Sequence, residues 1–306
     1  MYQRGALLFM YAETPLHPGA GQGVSYIDLP IQRERFTELP MIQASEVKGC
    51  LREYFESNGV DPSEIETVFG PSPGPNASKH AGAVSVSDAR LLLFPVRSLY
   101  GVFAYITCPF VLRRLKRDLQ LGGFPSWKCD IPEPPDQETA LITDGNSIIV
   151  GRENGSMQAM FEEFLFKAEG REEVRKIAEF IQNNALPSTE DYRPWREDLP
   201  KRLCIVADIV FRDFTALSTQ VVTRNRIDNA TGVVEERGLW TEEYLPPETL
   251  LYSIILATKP FKEDSPIGNA KDVIEFIGQI DNKRFQIGGN QTLGQGIVIA
   301  HLLKEV

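Results

Sequence analysis

Phe285-Gln-Ile-Gly288-Gly289-Asn-Gln-Thr-Leu-Gly294-Gln-Gly296-Ile-Val-Ile-Ala300 joins a glycine-rich loop to a continuous β-branched run, the pattern of a tight turn feeding a strand. Gly288, Gly289, Gly294 and Gly296 are four glycines within nine residues, so the backbone here can come closer to another group than any side chain would allow. The group approached is either a phosphate or a second stretch of backbone. It is not a nucleotide P-loop, because Gly294 is followed by Gln295-Gly296 where that motif needs Lys and Ser or Thr.

Working back from this loop, strands and helices interleave. Ala270–Ile280 reads as a helix, Leu250–Ala257 as a strand, and Thr219–Ile227 with Gly232–Leu245 as a hairpin around the turn-rich Asp228-Asn-Ala-Thr-Gly232. Leu203–Phe211 reads as a buried strand, Glu172–Asn184 as a helix and Met157–Lys167 as a strand. Gly122–Gly145, rich in proline, reads as an unstructured excursion, and Pro71-Ser-Pro-Gly-Pro75 as a stiff break. Pro109–Leu121 has proline at the first helical position and a basic face of Arg113, Arg114, Lys116 and Arg117. Tyr100–Ile106 and Ala83–Val96 read as strands, and Gly5–Glu13 as the first strand. The fold class expected is α+β, a sheet domain carrying long insertions.

Composition narrows the function. The chain has 306 residues, 42% hydrophobic and 24% charged, which is globular and excludes disorder and fibre. A net charge of −10 argues against a protein that coats DNA, but does not exclude a local RNA-binding groove. Four scattered cysteines and three scattered histidines give no zinc-ligand spacing. The apolar Ala6–Ala12 is too short to span a membrane and shows no cleavage signal, so the expected compartment is the cytoplasm.

Three constellations could carry chemistry. Thr14-Pro-Leu-His17-Pro-Gly and Asp28-Leu-Pro-Ile-Gln-Arg33-Glu34 place an imidazole, a carboxylate and guanidinium groups on one long apolar-containing segment. His17 suits proton transfer near neutral pH, and Asp28 suits a divalent ion or an activated hydroxyl; a cap or surface role is the plainer alternative for both. Ser45-Glu-Val-Lys48-Gly49-Cys-Leu-Arg52 opens a helix with Ser45 as N-cap and with Lys48 and Arg52 on one face, a phosphate-binding edge or merely a solvated one. In the hairpin, Arg224 and Arg226 alternate to one side, Glu242 shares a face with Tyr244, and Trp240 is expected to pack on the core.

Together with Val68-Phe-Gly70, Arg226-Ile-Asp228 and Glu242-Glu-Tyr244-Leu-Pro246, these segments resemble the RAMP superfamily. Within it they look most like the backbone (fourth) subunits of type III-B CRISPR (Cmr) RNA-targeting complexes, and the Asp28–Glu34 run selects that subunit. The resemblance implies a single domain over 1–306: a ferredoxin-like (RRM-like) palm with insertions near 14–44, 71–82, 122–156 and 213–245, and a thumb hairpin. It implies copies stacked head to tail along a CRISPR guide RNA beside other Cmr subunits, with cleavage of single-stranded target RNA paired to the guide. Catalysis would use a divalent metal (Mg or Mn) held by Asp28, with His17, Glu242 and Tyr244 in support. Ser45, Lys48, Gly49, Arg52, Arg224, Arg226 and glycines 288, 289, 294 and 296 would contact RNA. The alternatives are a non-catalytic guide-binding scaffold and a metal-independent guide-processing endonuclease that works through His17.

Overall fold

The computed structural model describes residues 2–23, 26–72, 74, 78–124, 127–153 and 155–304. Strand β1 (Arg4–Ala12) organises it, with every residue from Ala6 to Ala12 buried. A strand buried on both faces needs cover above and below, which explains its unbroken apolar sequence. β1 pairs antiparallel with β13 (Leu250–Ala257) on one edge and with β15 (Ile297–Lys304) on the other; β4 (Ala89–Arg97) flanks β13. The resulting order is β15-β1-β13-β4.

Two helices complete this unit, α1 (Ala44–Ser57) following β1 and α7 (Ala270–Ile277) following β13. α1 buries Val47, Leu51 and Phe55 at four-residue spacing. Phe55 meets Phe276 of α7 at 4.5 Å between ring centroids, so the two helices lie together. Asn269 caps α7 through a reciprocal capping box with Asp272. Short strands β2 (Met41–Ile42), β3 (Val84–Val86) and β14 (Arg284–Gln286) extend the edges, and α2 (Pro62–Phe69) packs against α1.

Beyond β4 the sheet continues through β5 (Phe103–Thr107), β10 (Leu203–Ile205), β6 (Thr139–Thr143), β9 (Phe164–Arg171), β8 (Ser156–Phe161) and β7 (Gly151–Glu153). α3 (Pro109–Leu121), α4 (Glu172–Asn184), α5 (Arg193–Arg202) and α6 (Asp208–Leu217) belong to the same large insertion between β4 and β13. β11 (Gln220–Ile227) and β12 (Val234–Tyr244) form a separate two-stranded ribbon. The architecture is mixed α+β.

Several expectations are corrected. The excursion Gly122–Gly145 contains β6, whose residues are all buried between β9 and β10. The strand expected over Leu203–Phe211 stops at Ile205, and α6 takes over with Phe211, Phe214 and Thr215 buried at helical spacing. Asp208 turns the chain there and accepts the Phe110 amide at 2.9 Å, capping α3. Ala83–Val96 divides into β3 and β4 around Ser87-Asp88, and Met157–Lys167 into β8 and β9 around Glu162 at φ 50°.

Ser45 is not the N-cap of α1. Gln43 holds that position without a side-chain bond, and Asp88 reaches in to accept the Ala44 amide at 2.8 Å. Three of the four cations on the basic face of α3 are paired by the fold, Arg114 with Glu34, Arg113 with Glu133 and Arg117 with Asp118, while Lys116 reaches the Cys129 carbonyl at 3.4 Å. Of the expected insertions, residues 24–25, 73, 75–77, 125–126 and 154 lie outside the described residues.

Candidate functional site

The segment from Thr14 to Pro40 straps across the end of β12. Leu16 exchanges backbone hydrogen bonds with Leu245 at 2.9 and 2.8 Å. Farther along, Leu29 donates to the Thr241 carbonyl at 3.0 Å and accepts from the Glu243 amide at 3.0 Å. The Asp28–Glu34 run is therefore an anchor in which successive residues each find a partner. Ile31 enters the core, and its amide donates to Glu243 Oε2 at 3.0 Å. Gln32 donates to Glu46 at 2.7 Å and accepts the Gln43 amide at 2.8 Å. Arg33 pairs with Glu243 at 2.6 Å, and Glu34 receives a two-pronged clasp from Arg114 at 2.6 and 3.0 Å.

Asp28 is exposed but fixed. Its amide donates to Thr241 Oγ1 at 3.0 Å; in return Thr241 donates its amide at 2.8 Å and its hydroxyl at 2.9 Å to Asp28 Oδ2. The Thr241 amide and then its hydroxyl hold the Asp28 carboxyl below the usual range, so it is ionised at neutral pH. Among the described residues Oδ1 accepts no hydrogen bond.

Glu242 and Tyr244 point to the other face of β12, because alternate residues of a strand face opposite ways. Glu242 is buried and receives Trp240 Nε1 at 2.7 Å, Asn290 Nδ2 at 2.9 Å and the Tyr244 hydroxyl, with Arg224 at 3.4 Å. Burial opposes its ionisation most strongly, but Trp240, Tyr244, Arg224 and Asn290 together hold its pKa below the ordinary value. The Tyr244 phenol also accepts from Arg224 at 3.0 Å and from Asn290 at 2.9 Å; burial, with Glu242 beside it, raises its pKa. Trp240 is thus half-buried in this polar network and not part of the core, because its indole N–H needs the Glu242 acceptor.

His17 joins the same face, its ring 5.4 Å from that of Tyr244. Its Nδ1 lies 2.7 Å from the Glu243 carbonyl, which can only accept, so Nδ1 carries a proton and Nε2 is left for a ligand. Nε2 looks toward Gly19, where an added Cβ would sit 3.0 Å away. The structure therefore gathers His17, Glu242 and Tyr244 on one side of β12 and sets Asp28 against Thr241 on the other.

The glycine loop meets backbone. Gly289 donates to the His17 carbonyl at 2.8 Å and Gly296 to the Pro15 carbonyl at 2.9 Å, while Gly294 closes its own turn on Gln291 at 3.0 Å. The Gly288 amide faces the Cys50 thiol, whose pKa burial pushes up to about 11. At Gly288, with φ +87°, a Cβ would lie 2.6 Å from the His17 carbonyl oxygen, so glycine is required there. Three of these amides already donate to backbone carbonyls, so the loop clamps the His17 segment. On α1, Ser45 and Gly49 are exposed. Arg52 is tied to Glu56, the Gly70 carbonyl and Ser72 at 2.7–2.8 Å. The half-buried Lys48 has no carboxylate partner among the described residues, and burial, then Arg52, lowers its pKa. Arg226 is largely exposed, with Glu235 at 3.6 Å.

Sequence reasoning missed Thr241, Glu243 and Asn290. Asn290 sits in the left-handed region at φ 62°, and an Asn between glycines was the available signal for it. Thr241 and Glu243 gave no signal until the strap was seen to dock on them. No three His, Cys, Asp or Glu side chains converge as a metal-binding group among the described residues.

The RAMP superfamily model matches residues 9–299, and the chain belongs to that family. It is 42% identical over 305 residues to the CRISPR system Cmr endoribonuclease Cmr4 of Pyrococcus furiosus, covering 98% of this chain and 96% of that one. The solved structure of oligomeric Cmr4 from Pyrococcus furiosus superposes with a TM-score of 0.74 at 34% identity, covering 99% of each chain. A chain of the type III-B Cmr-beta complex bound to cognate target RNA shares the fold, with a TM-score of 0.71 at 23% identity and 98% coverage of each.

Proposed function

We propose that this chain is a Cmr-type backbone subunit that binds guide RNA and cuts the target RNA paired to it. It works in the cytoplasm as head-to-tail copies beside other Cmr subunits. In this reading 1–306 is one domain: the β15-β1-β13-β4 sheet with α1 and α7 is the ferredoxin-like palm, and the β11–β12 ribbon is the thumb. The observation that carries the cleavage reading is Asp28, exposed, ionised and gripped by Thr241 through one oxygen, the other accepting nothing among the described residues.

RNA supplies its own nucleophile. The 2′-oxygen bonds to phosphorus, the bond to the 5′-oxygen breaks, one proton leaves the 2′-hydroxyl and another reaches the departing 5′-oxygen. Paired A-form geometry keeps the 2′-oxygen out of line, so a nucleotide must be unstacked, and positioning supplies much of the rate. Asp28 orients or accepts the 2′-proton; the departing 5′-oxygen takes its proton from water, or from Nε2 of a doubly protonated His17 where the RNA reaches the opposite side of β12. Glu242 is saturated by donors, so its role is to orient Tyr244 toward His17. A divalent ion, Mg or Mn, fits a lone carboxylate with an open oxygen, because such ions take their remaining ligands from water and phosphate; it would supply positive charge at the scissile phosphate.

Lys48, flanked by Ser45 and Gly49, would hold a guide phosphate, with Arg226 as a second contact; Arg52 positions the helix from beneath. The test is target cleavage by a reconstituted complex. Asp28→Ala is expected to lose roughly a thousandfold in rate while guide and target remain bound; normal cutting by that variant would remove Asp28 from the mechanism. Lys48→Ala is expected to weaken guide binding and to reduce the salt slope by about 0.7, one phosphate's worth for a single strand.

A further inference from the structure

A small cavity of about 240 Å³ opens beside β5, walled by Phe103, Tyr105, Pro194 and Trp195 and rimmed by Asp198 and Arg202. It lies below the roughly 300–1,000 Å³ of pockets for drug-sized ligands, so it suits one flat ring system. Its principal wall is rigid. Trp195 donates its indole N–H to Glu248 Oε2 at 3.0 Å, and its ring packs on Tyr192 at 5.7 Å between centroids. Glu248 also accepts the Tyr11 hydroxyl and the Tyr105 hydroxyl, the latter at 3.1 Å. Glu248 is a non-glycine residue at φ 72°, held there by the hydrogen bond its amide donates to the Ala12 carbonyl at 2.8 Å. Strain of this kind persists only where the surroundings enforce it.

Two short chain connections run from residues that touch the pocket's aromatic wall to the candidate site. Glu248 follows Tyr244 by four residues, and Glu13 precedes His17 by four, each a reach of at most about 14 Å. Tyr192 ties the second connection to the pocket: its hydroxyl donates to Glu13 at 2.5 Å, while its ring meets both Tyr11 and Trp195. Trp195 is nevertheless 42% exposed, an aromatic face held in place yet open to solvent.

We propose that this cavity seats one unstacked nucleobase of the RNA bound at the candidate site, stacked on Trp195. The inference rests on the RNA-binding reading above and adds a destination for the base that in-line attack must displace. Stacking is tolerant of base identity because every base presents a π-face. At the rim Asp198 and Arg202 are paired with each other at 3.3 Å, Asp198 also with Lys201 and Arg202 also with the Gly101 and Phe103 carbonyls, so the rim adds little reading of the base edge and base preference is weak.

The experiment compares the full-length chain and its variants for binding to two labelled probes, an oligouridylate and an abasic ribose-phosphate oligomer of equal length. Trp195→Ala is expected to weaken oligouridylate binding about tenfold, close to one stacked base, and to leave the abasic oligomer unaffected. Trp195→Phe keeps a ring and is expected to retain most of the affinity. Lys48→Ala should weaken both probes alike. Equal losses on both probes with Trp195→Ala, or no loss at all, would overturn the pocket while leaving the RNA-binding reading intact. Failure of the unaltered chain to bind either probe would overturn that reading, and the pocket with it.

Discussion

Asp28 and Glu242 are two carboxylates served by one strand, and β12 deals with them differently on its two sides. Glu242 is buried and surrounded by Trp240, Tyr244, Asn290 and Arg224. Asp28 is exposed, and among the described residues only Thr241 donates to its carboxyl, on a single oxygen. Both are kept ionised, yet only one has an oxygen left for something outside the protein. A low carboxylate pKa therefore marks two different things here, a satisfied structural anion and an available chemical one. The count of internal donors, more than the pKa, separates them.

Substitution should separate them too. Asp28→Ala, with its thousandfold loss of cleavage, is expected to leave the melting temperature essentially unchanged, because no donor is left buried without a partner. Glu242→Ala should do the reverse in kind: it strands Arg224, Trp240 and Asn290 around a vacated charge and should cost roughly 2–3 kcal/mol of stability, Arg224 keeping some access to water. Denaturant unfolding beside single-turnover cleavage checks both, and a stable, cleavage-dead Glu242→Ala protein would break the distinction. Thr241→Val is the finer test. It removes the hydroxyl but keeps the amide that also binds Asp28, and a partly loosened carboxylate should cut about tenfold more slowly with unchanged stability. Thr241→Ser should restore the rate.

The two sides of β12 also differ in how readable they were. Periodicity exposed β1, α4, α7 and the hairpin, because each carries a long apolar pattern of a single period. It missed β6, a five-residue strand after a proline-rich stretch, and it ran β10 into α6 because both are apolar across the junction. The residues Asp28, His17, Glu242 and Tyr244 were all marked from the sequence, but their division between opposite faces was not. That division depends on where a strap from residues 14–40 lands on a strand more than two hundred residues later, a register set by tertiary contacts such as Arg33–Glu243. The glycine loop left two partners open for a related reason. Glycine announces close approach without naming the partner, and the partner is the chain's own His17 carbonyl.

A third carboxylate, just past the end of β12, extends the comparison. Glu248 has donors like Glu242, but they are the neutral Tyr11, Tyr105 and Trp195, and no ion pair reaches it among the described residues. Burial pushes its carboxyl up to about 7 from 4.5. Below pH 4.5 the folded and unfolded chains both keep this proton, and its contribution to stability is fully present. As pH rises toward 7 the unfolded chain releases the proton while the folded chain retains it, so that contribution is lost across this window and stays lost above it. Glu242 works in the opposite sense: its lowered pKa gives stability at neutral pH that falls away only as the solution is acidified through its ordinary range. Melting curves between pH 5 and pH 8 should therefore decline more steeply for the unaltered chain than for Glu248→Gln, which cannot ionise. Coincident profiles would mean that three neutral donors hold a buried carboxylate ionised as well as Arg224 and its neighbours hold Glu242, and that a nearby cation is not what distinguishes the two sites.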